Sequence, residues 1–224
     1  MIDRRPMKQF LPANMTILVA FAALVLLQEP RNASTEAVET APATARYKID
    51  SAKSRFTVRA FAGGFLSALA HDHTILIREF NGETDFTFGS VEPASLRITI
   101  DAGSLTVIDK VSDKDKQKIE NTMRDEVLEV SKFPEITFKS TGVSANRTGE
   151  GQYQSRISGD ITLRGVSRPL TINTQLEFGD KELHAKGTFA LKQSAFGIKP
   201  VSVAGGTIKV KDELKFTFDI VAHP

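Results

Sequence analysis

In Leu214-Lys215-Phe216-Thr217-Phe218-Asp219-Ile220, apolar and polar residues alternate without a break. A period of two puts every apolar member on one face of a β-strand and every polar member on the other. The same alternation runs through Arg55-Phe56-Thr57-Val58-Arg59-Ala60 and Leu96-Arg97-Ile98-Thr99-Ile100-Asp101. Strands that are dry on one side need a shared interior, so the chain must close into a sandwich or a barrel. A barrel interior is a lumen, and a lumen can hold a ligand.

Further strands are expected at Tyr47–Ile49, Glu135–Val143, Gln152–Leu163, Leu170–Phe178, Leu183–Leu191 and Thr207–Ala222, separated by turns such as Gly149-Glu150-Gly151 and Gly179-Asp180. Thr74–Phe80 and Thr84–Phe88 read as a hairpin turning at Asn81-Gly82. Their number and spacing favour an all-β, antiparallel, up-and-down arrangement of about eight or more strands. One segment departs from the period. Between Ser112 and Val130, the residues Ile119, Met123, Val127 and Val130 recur at helical spacing, Ser112 and Asp115 resemble a capping box, and Pro134 forces a stop. This predicts a single amphipathic α-helix packed on the barrel wall or over one end.

Composition narrows the function classes. The net charge of +2 argues against a nucleic-acid groove, and the absence of cysteine excludes disulfides, thiolate metal sites and cysteine nucleophiles. No Gly-x-Ser-x-Gly elbow occurs, so the expected protein is not an enzyme and carries no cofactor. At the N-terminus, Arg4, Arg5 and Lys8 precede an apolar run from Met15 to Leu27, which reads as a signal peptide or membrane anchor over residues 1–27. Residues 28–45, rich in Ala, Thr, Glu and Pro, read as a flexible linker to a domain over 46–224. The expected location is periplasmic or secreted, free or tethered.

Two strands carry small residues on the inner face. One reads Tyr153, Ser155, Ile157, Gly159, Ile161, Leu163, and the other Leu183, Ala185, Gly187, Phe189, Leu191. Either the missing bulk opens an elongated apolar cavity, or it makes room for large neighbours such as Phe86, Phe88 and Phe138 in a solid core. On the first reading the lumen candidates are Phe56 and Val58, then Leu96, Ile98 and Ile100, then Phe138. Across the later strands they are Tyr153, Ile157 and Gly159, then Ala185, Gly187 and Phe189, and finally Phe216 and Phe218.

The cluster His71-Asp72-His73 has chemical potential of its own. On an extended backbone His71 and His73 share a face and could grip a polar headgroup, a partner or a metal, with His184 or His223 as a third nitrogen. The plainer reading has Asp72 accepting backbone hydrogen bonds while the histidines pack or titrate at the surface. Zinc-ligand spacing is lacking, so no metal site is assigned.

Several phrases resemble the YceI family, the lipocalin-like, polyisoprenoid-binding proteins of bacteria. They are Tyr47-Lys48-Ile49-Asp50, Val127-Leu128-Glu129, Lys132-Phe133-Pro134-Glu135-Ile136-Thr137-Phe138, Gly159 to Pro169 and Phe196-Gly197-Ile198. The resemblance covers residues 47–222. It implies an eight-stranded lipocalin-like barrel, export, and an isoprenoid or fatty chain in the lumen, and it favours the cavity over the solid core. Where the family often has a histidine just after the first strand, this chain has Lys53. Two roles follow: an exported lipid carrier, or a filled barrel that docks to a membrane partner. A metal-dependent enzyme using His71 and His73 is a distant third.

Overall fold

The computed structural model describes residues 44–224 except 66, 68–70, 88–89 and 180, and omits the side chains of 87, 90–93 and 204. The expected signal or anchor segment, and the linker up to residue 43, lie outside the described residues. The linker's last two residues do not: Thr44 and Ala45 already belong to the first strand, opposite Thr87 and Phe86.

Eleven strands form one antiparallel sheet. They are β1 (Thr44–Gly63), β2 (His73–Ile77), β3 (Phe80–Thr87), β4 (Ser90–Asp101), β5 (Leu105–Val107), β6 (Glu135–Gly149), β7 (Gln152–Leu163), β8 (Val166–Phe178), β9 (Leu183–Lys192), β10 (Ser202–Val203) and β11 (Ile208–His223). Pairing runs from β1 through β3, β4, β6, β7, β8, β9 and β11, and β11 pairs with β1 to close the ring. The ring therefore has the eight strands that alternation and family resemblance predict. Among the narrow seams of the ring are β4–β6, paired over Arg97–Asp101, and β8–β9, paired over Thr174–Phe178.

The remaining strands shape one end, which we call the upper end. β2 pairs with β1 above β3, and β5 pairs with β2 above β4. β2 and β3 thus run back along β5 and β4, with Thr87 opposite Ser90 as the last described pair. This corrects the turn expected at Asn81-Gly82. Asn81 and Gly82 lie inside β3, opposite Thr99 and Ile98. A Cβ on Gly82 would stand 2.5 Å from the Arg97 carbonyl oxygen and 2.8 Å from Ile49 Cδ1, so the glycine serves a close approach and makes no turn.

Above the level of Asp101, β4 stops pairing with β6, because Ala102–Ser104 form a short helical turn and β5 follows β2 instead. The helix α1 (Asp113–Thr122) lies against β5 at this point. Ser112 Oγ accepts from Asp115 N at 3.1 Å and donates to the Asp115 carboxylate at 2.6 Å, so the shorter acid returns to the cap's hydroxyl. The helix continues as a π-turn over Met123–Val127 and ends at Glu129, whose φ of 48° is left-handed. It therefore stops well before Pro134, and Val130 lies beyond it. Ile119, Met123 and Val127 all pack onto the barrel core, as their spacing predicts.

Candidate functional site

The lower end of the barrel is sealed. Tyr47 on β1, Phe86 on β3, Tyr153 on β7 and Phe178 on β8 form an aromatic cluster, with Phe86 and Phe178 at 4.3 Å between ring centroids. Leu183 and Ala222 complete the seal and are almost fully buried. Tyr153, expected to line the lumen, belongs to this plug.

Above the plug, the interior holds two cavities. The upper one, about 520 Å³, is walled by Val58, Ile75, Leu105, Phe216, Ile119 of α1 and Met123 of the π-turn. The lower one, about 100 Å³, is walled by Leu96, Ile98, Phe138, Ile157, Ala185 and Phe218. Phe56, Ile100 and Phe189 line both. Eleven of the fourteen lumen candidates border one cavity or the other.

Two of the expected lumen glycines act differently. A Cβ on Gly159 would come within 2.6 Å of Phe138 Cζ and 2.4 Å of the Lys139 carbonyl oxygen. A Cβ on Gly187 would come within 2.5 Å of Phe218 Cζ and 2.7 Å of the Asn173 carbonyl oxygen. Neither borders a cavity. They seat the rings of Phe138 and Phe218, which themselves line the lower cavity. Ser155, 1% exposed, donates to the Ser144 carbonyl.

The upper cavity reaches the surface, since its lining includes the exposed residues His71, Lys118, Lys192 and Lys209. His71 and His73 both border it. Asp72 turns away, accepting from Ala62 N at 3.0 Å and Arg59 at 3.0 Å. The Ala62 amide first, with Arg59 beside it, outweighs the opposing effect of desolvation and holds the Asp72 carboxyl below the usual aspartate value. Asp109 accepts from Thr74 N at 2.9 Å and lies 3.1 Å from His73 Nδ1, fixing that ring at the mouth.

His184 and His223 cannot complete a site there, because they lie at the sealed end. His184 Nε2 is 3.2 Å from Glu182, and His223 Nε2 is 3.4 Å from Asp50. Lys53, which stands where the family often has histidine, joins this group through Glu182 at 2.9 Å. Among the described residues, no three His, Asp or Glu side chains are gathered as a metal set.

A family profile described as the YceI-like domain matches residues 47–222, nearly the full span of the barrel. The chain belongs to the YceI-like family. A UPF0312 protein of Pseudomonas putida (strain W619) is 26% identical over 171 residues, covering 73% of this chain and 82% of the relative. A UPF0312 protein of Shewanella baltica (strain OS155) is 29% identical over 127 residues, covering 54% of this chain and 61% of the relative. Among solved structures, Burkholderia cenocepacia BcnA superposes with a TM-score of 0.59 at 17% identity, over 77% of this chain and 98% of that one. A polyisoprenoid-binding domain from Saccharophagus degradans, implicated in plant cell wall breakdown, gives 0.54 at 14% identity, over 79% and 97%. At such identities these likenesses establish the fold. They place this YceI-like chain among closed barrels of one architecture.

The structure also explains the phrases that carry the resemblance. Arg164 and Gly165, at φ 50° and 71°, form the tight β7–β8 turn, and Arg164 pairs with Glu129 at the end of the helix. Phe133 packs beneath Gly165, and the Pro134 carbonyl accepts from Ala102 N at 2.9 Å. Widely separated phrases thus meet as one clamp beside the helix. Sequence reasoning missed this clamp and the lysines at the mouth, since neither has a period to reveal it.

Proposed function

We propose that this YceI-like protein is an exported, non-enzymatic carrier that holds a long isoprenoid or fatty chain in its lumen. The observation that carries the reading is the upper cavity of about 520 Å³, walled by aliphatic and phenylalanine side chains and open at one end only. An apolar chain entering it leaves water at about 0.8 kcal/mol per CH₂, so few polar contacts are needed to retain it. The name of the Saccharophagus degradans neighbour, a polyisoprenoid-binding domain, supports the same class of ligand. So large an empty interior weighs against a filled barrel that acts only through its outer surface. The basic and apolar run at the N-terminus supports export.

Organic extraction and mass spectrometry of the purified protein test the reading. A long-chain lipid recovered in stoichiometric amount is expected. Protein that carries none, and takes up none from an isoprenoid suspension, would refute the carrier role.

A further inference from the structure

The charged residues around the upper cavity are unequal in sign. Lys118 of α1, Lys192 at the end of β9 and Lys209 at the start of β11 all line it, against one acid, Asp115. None of the three lysines makes an ion pair among the described residues. Lys192 stands across from Glu213 of β11, without an ion pair, and has a through-space neighbour in Asp212, whose carboxylate is taken up by Ser194 N and Oγ at 2.8 and 2.6 Å. Three other acids of this end are engaged elsewhere. Asp72 is held by Arg59 and Ala62 N, Asp109 by Thr74 N and His73, and Glu120 by Thr106 and Val107 N.

The lysines come from three elements that converge only through barrel closure and the placement of α1. Their aliphatic stems can lie on the apolar wall while the ammonium groups stay in water at the opening. A neutral amphiphile gains nothing from such a rim, whereas an anion seated above its own apolar chain faces three uncommitted cations.

We propose that the mouth selects an amphiphile with an anionic headgroup, phosphate or carboxylate, over the same chain with a neutral one. The proposal rests on the carrier reading, because the chain in the cavity is what brings the headgroup to the rim. Lys118, Lys192 and Lys209 grip the anion, and His71 and His73 border the same opening.

The test compares geranylgeranyl phosphate with geranylgeraniol on full-length, lipid-stripped protein, by fluorescence displacement at low and high salt. The phosphate is expected to bind about five-fold more tightly at low salt, since exposed ion pairs each contribute little. That preference should shrink as salt screens the rim. The variant Lys118→Gln/Lys192→Gln/Lys209→Gln is expected to lose the preference while keeping its affinity for the alcohol. Equal binding of the two probes by the parent protein, or an undiminished preference in the triple variant, would overturn the proposal. Should the triple variant not fold, Lys209→Gln alone and the salt dependence of the parent decide.

Inorganic phosphate is the third probe. Millimolar phosphate is expected to leave the alcohol bound, and tight binding of phosphate by itself would mean a site for free anions, overturning the proposal. If neither lipid binds, the carrier reading fails as well. If both bind alike, only the headgroup selection fails.

Discussion

Glu129 and Arg164 are 35 residues apart and form an ion pair, although each has a left-handed backbone, at φ 48° and 50°. Both side chains are about four-fifths buried, and Glu129 also accepts from Lys132 Nζ at 2.8 Å. Left-handed conformations are costly for side chains other than glycine and persist where surrounding contacts fix them. Here each strained residue holds the other, joining the helix end to the β7–β8 turn. Glu129→Ala and Arg164→Ala are each expected to destabilise the protein by about 2 kcal/mol, because each strands a largely buried charge. The double variant should cost clearly less than the sum, with a coupling of about 1 kcal/mol or more in urea unfolding. Additive losses would show that the turn and the helix end stand independently.

Gly159 and Gly187 give a second expectation. Alanine at either position places its Cβ against a phenylalanine ring and a backbone oxygen, and the oxygen cannot move aside. Each glycine-to-alanine change should cost about 1–3 kcal/mol as overpacking, and Gly187→Phe should fail to fold. The folded fraction of either alanine variant should still bind lipid, since neither site borders the cavities. Calorimetry with a binding assay on the same sample checks both points. An alanine variant that keeps its stability but loses the lipid would put the chain at those glycines after all.

Period-two alternation made the fold legible because eight strands share one interior. Phe56, Val58, Phe216 and Phe218 each lie on the inner face their spacing requires. Asn81-Gly82 misled because glycine is used both for turns and for close approaches, and only the neighbouring Ile49 and Arg97 reveal which applies. The small residues of β7 and β9 were ambiguous for the same reason. Whether a missing side chain leaves a void depends on the strand across from it. The lysine rim was invisible because three residues on three elements meet only in the closed barrel.

Glu120 connects stability to pH. Burial alone would push its carboxyl up, but hydrogen bonds from Thr106 Oγ1 and Val107 N, with Lys116 and Arg124 nearby, outweigh burial and hold it below the usual value of 4.5. An acid whose pKa is depressed on folding contributes stability above its unfolded pKa and loses it as pH falls through the folded value. The contact between α1 and β5 should therefore hold from neutrality down to about pH 4.5 and weaken below it. Hydrogen exchange at the Val107 amide, monitored against pH, should show this loss of protection, and Glu120→Gln should flatten it. Glu120→Ala removes the acceptor for the amide of Val107, a residue that is 0% exposed. It should cost about 1–3 kcal/mol at neutral pH. Protection indifferent to both pH and substitution would mean that α1 is held by its apolar face alone.

Phe189 sits where the two cavities adjoin. Its ring stacks on that of Phe216, its partner across β9 and β11, at 4.7 Å between centroids and 4° between planes. Phe56 stands beside both, at 6.3 and 6.4 Å. Phe56 and Phe189 line the upper and lower cavities alike, so these rings partition the lumen, and on the carrier reading they would set the depth a chain can reach. Phe189→Ala is expected to join the cavities at a cost of about 3 kcal/mol, the low end for a phenylalanine truncation because the ring already borders empty space. Protein purified from the same cells should then carry longer chains than the parent. Val58→Ala is the control, since Val58 borders only the upper cavity and its truncation widens that space without opening the partition. Mass spectrometry of the extracted lipids reads both variants. A length distribution that shifts in Phe189→Ala and not in Val58→Ala supports a measuring partition. An equal shift in both would mean that total volume, rather than the phenylalanine wall, limits the chain.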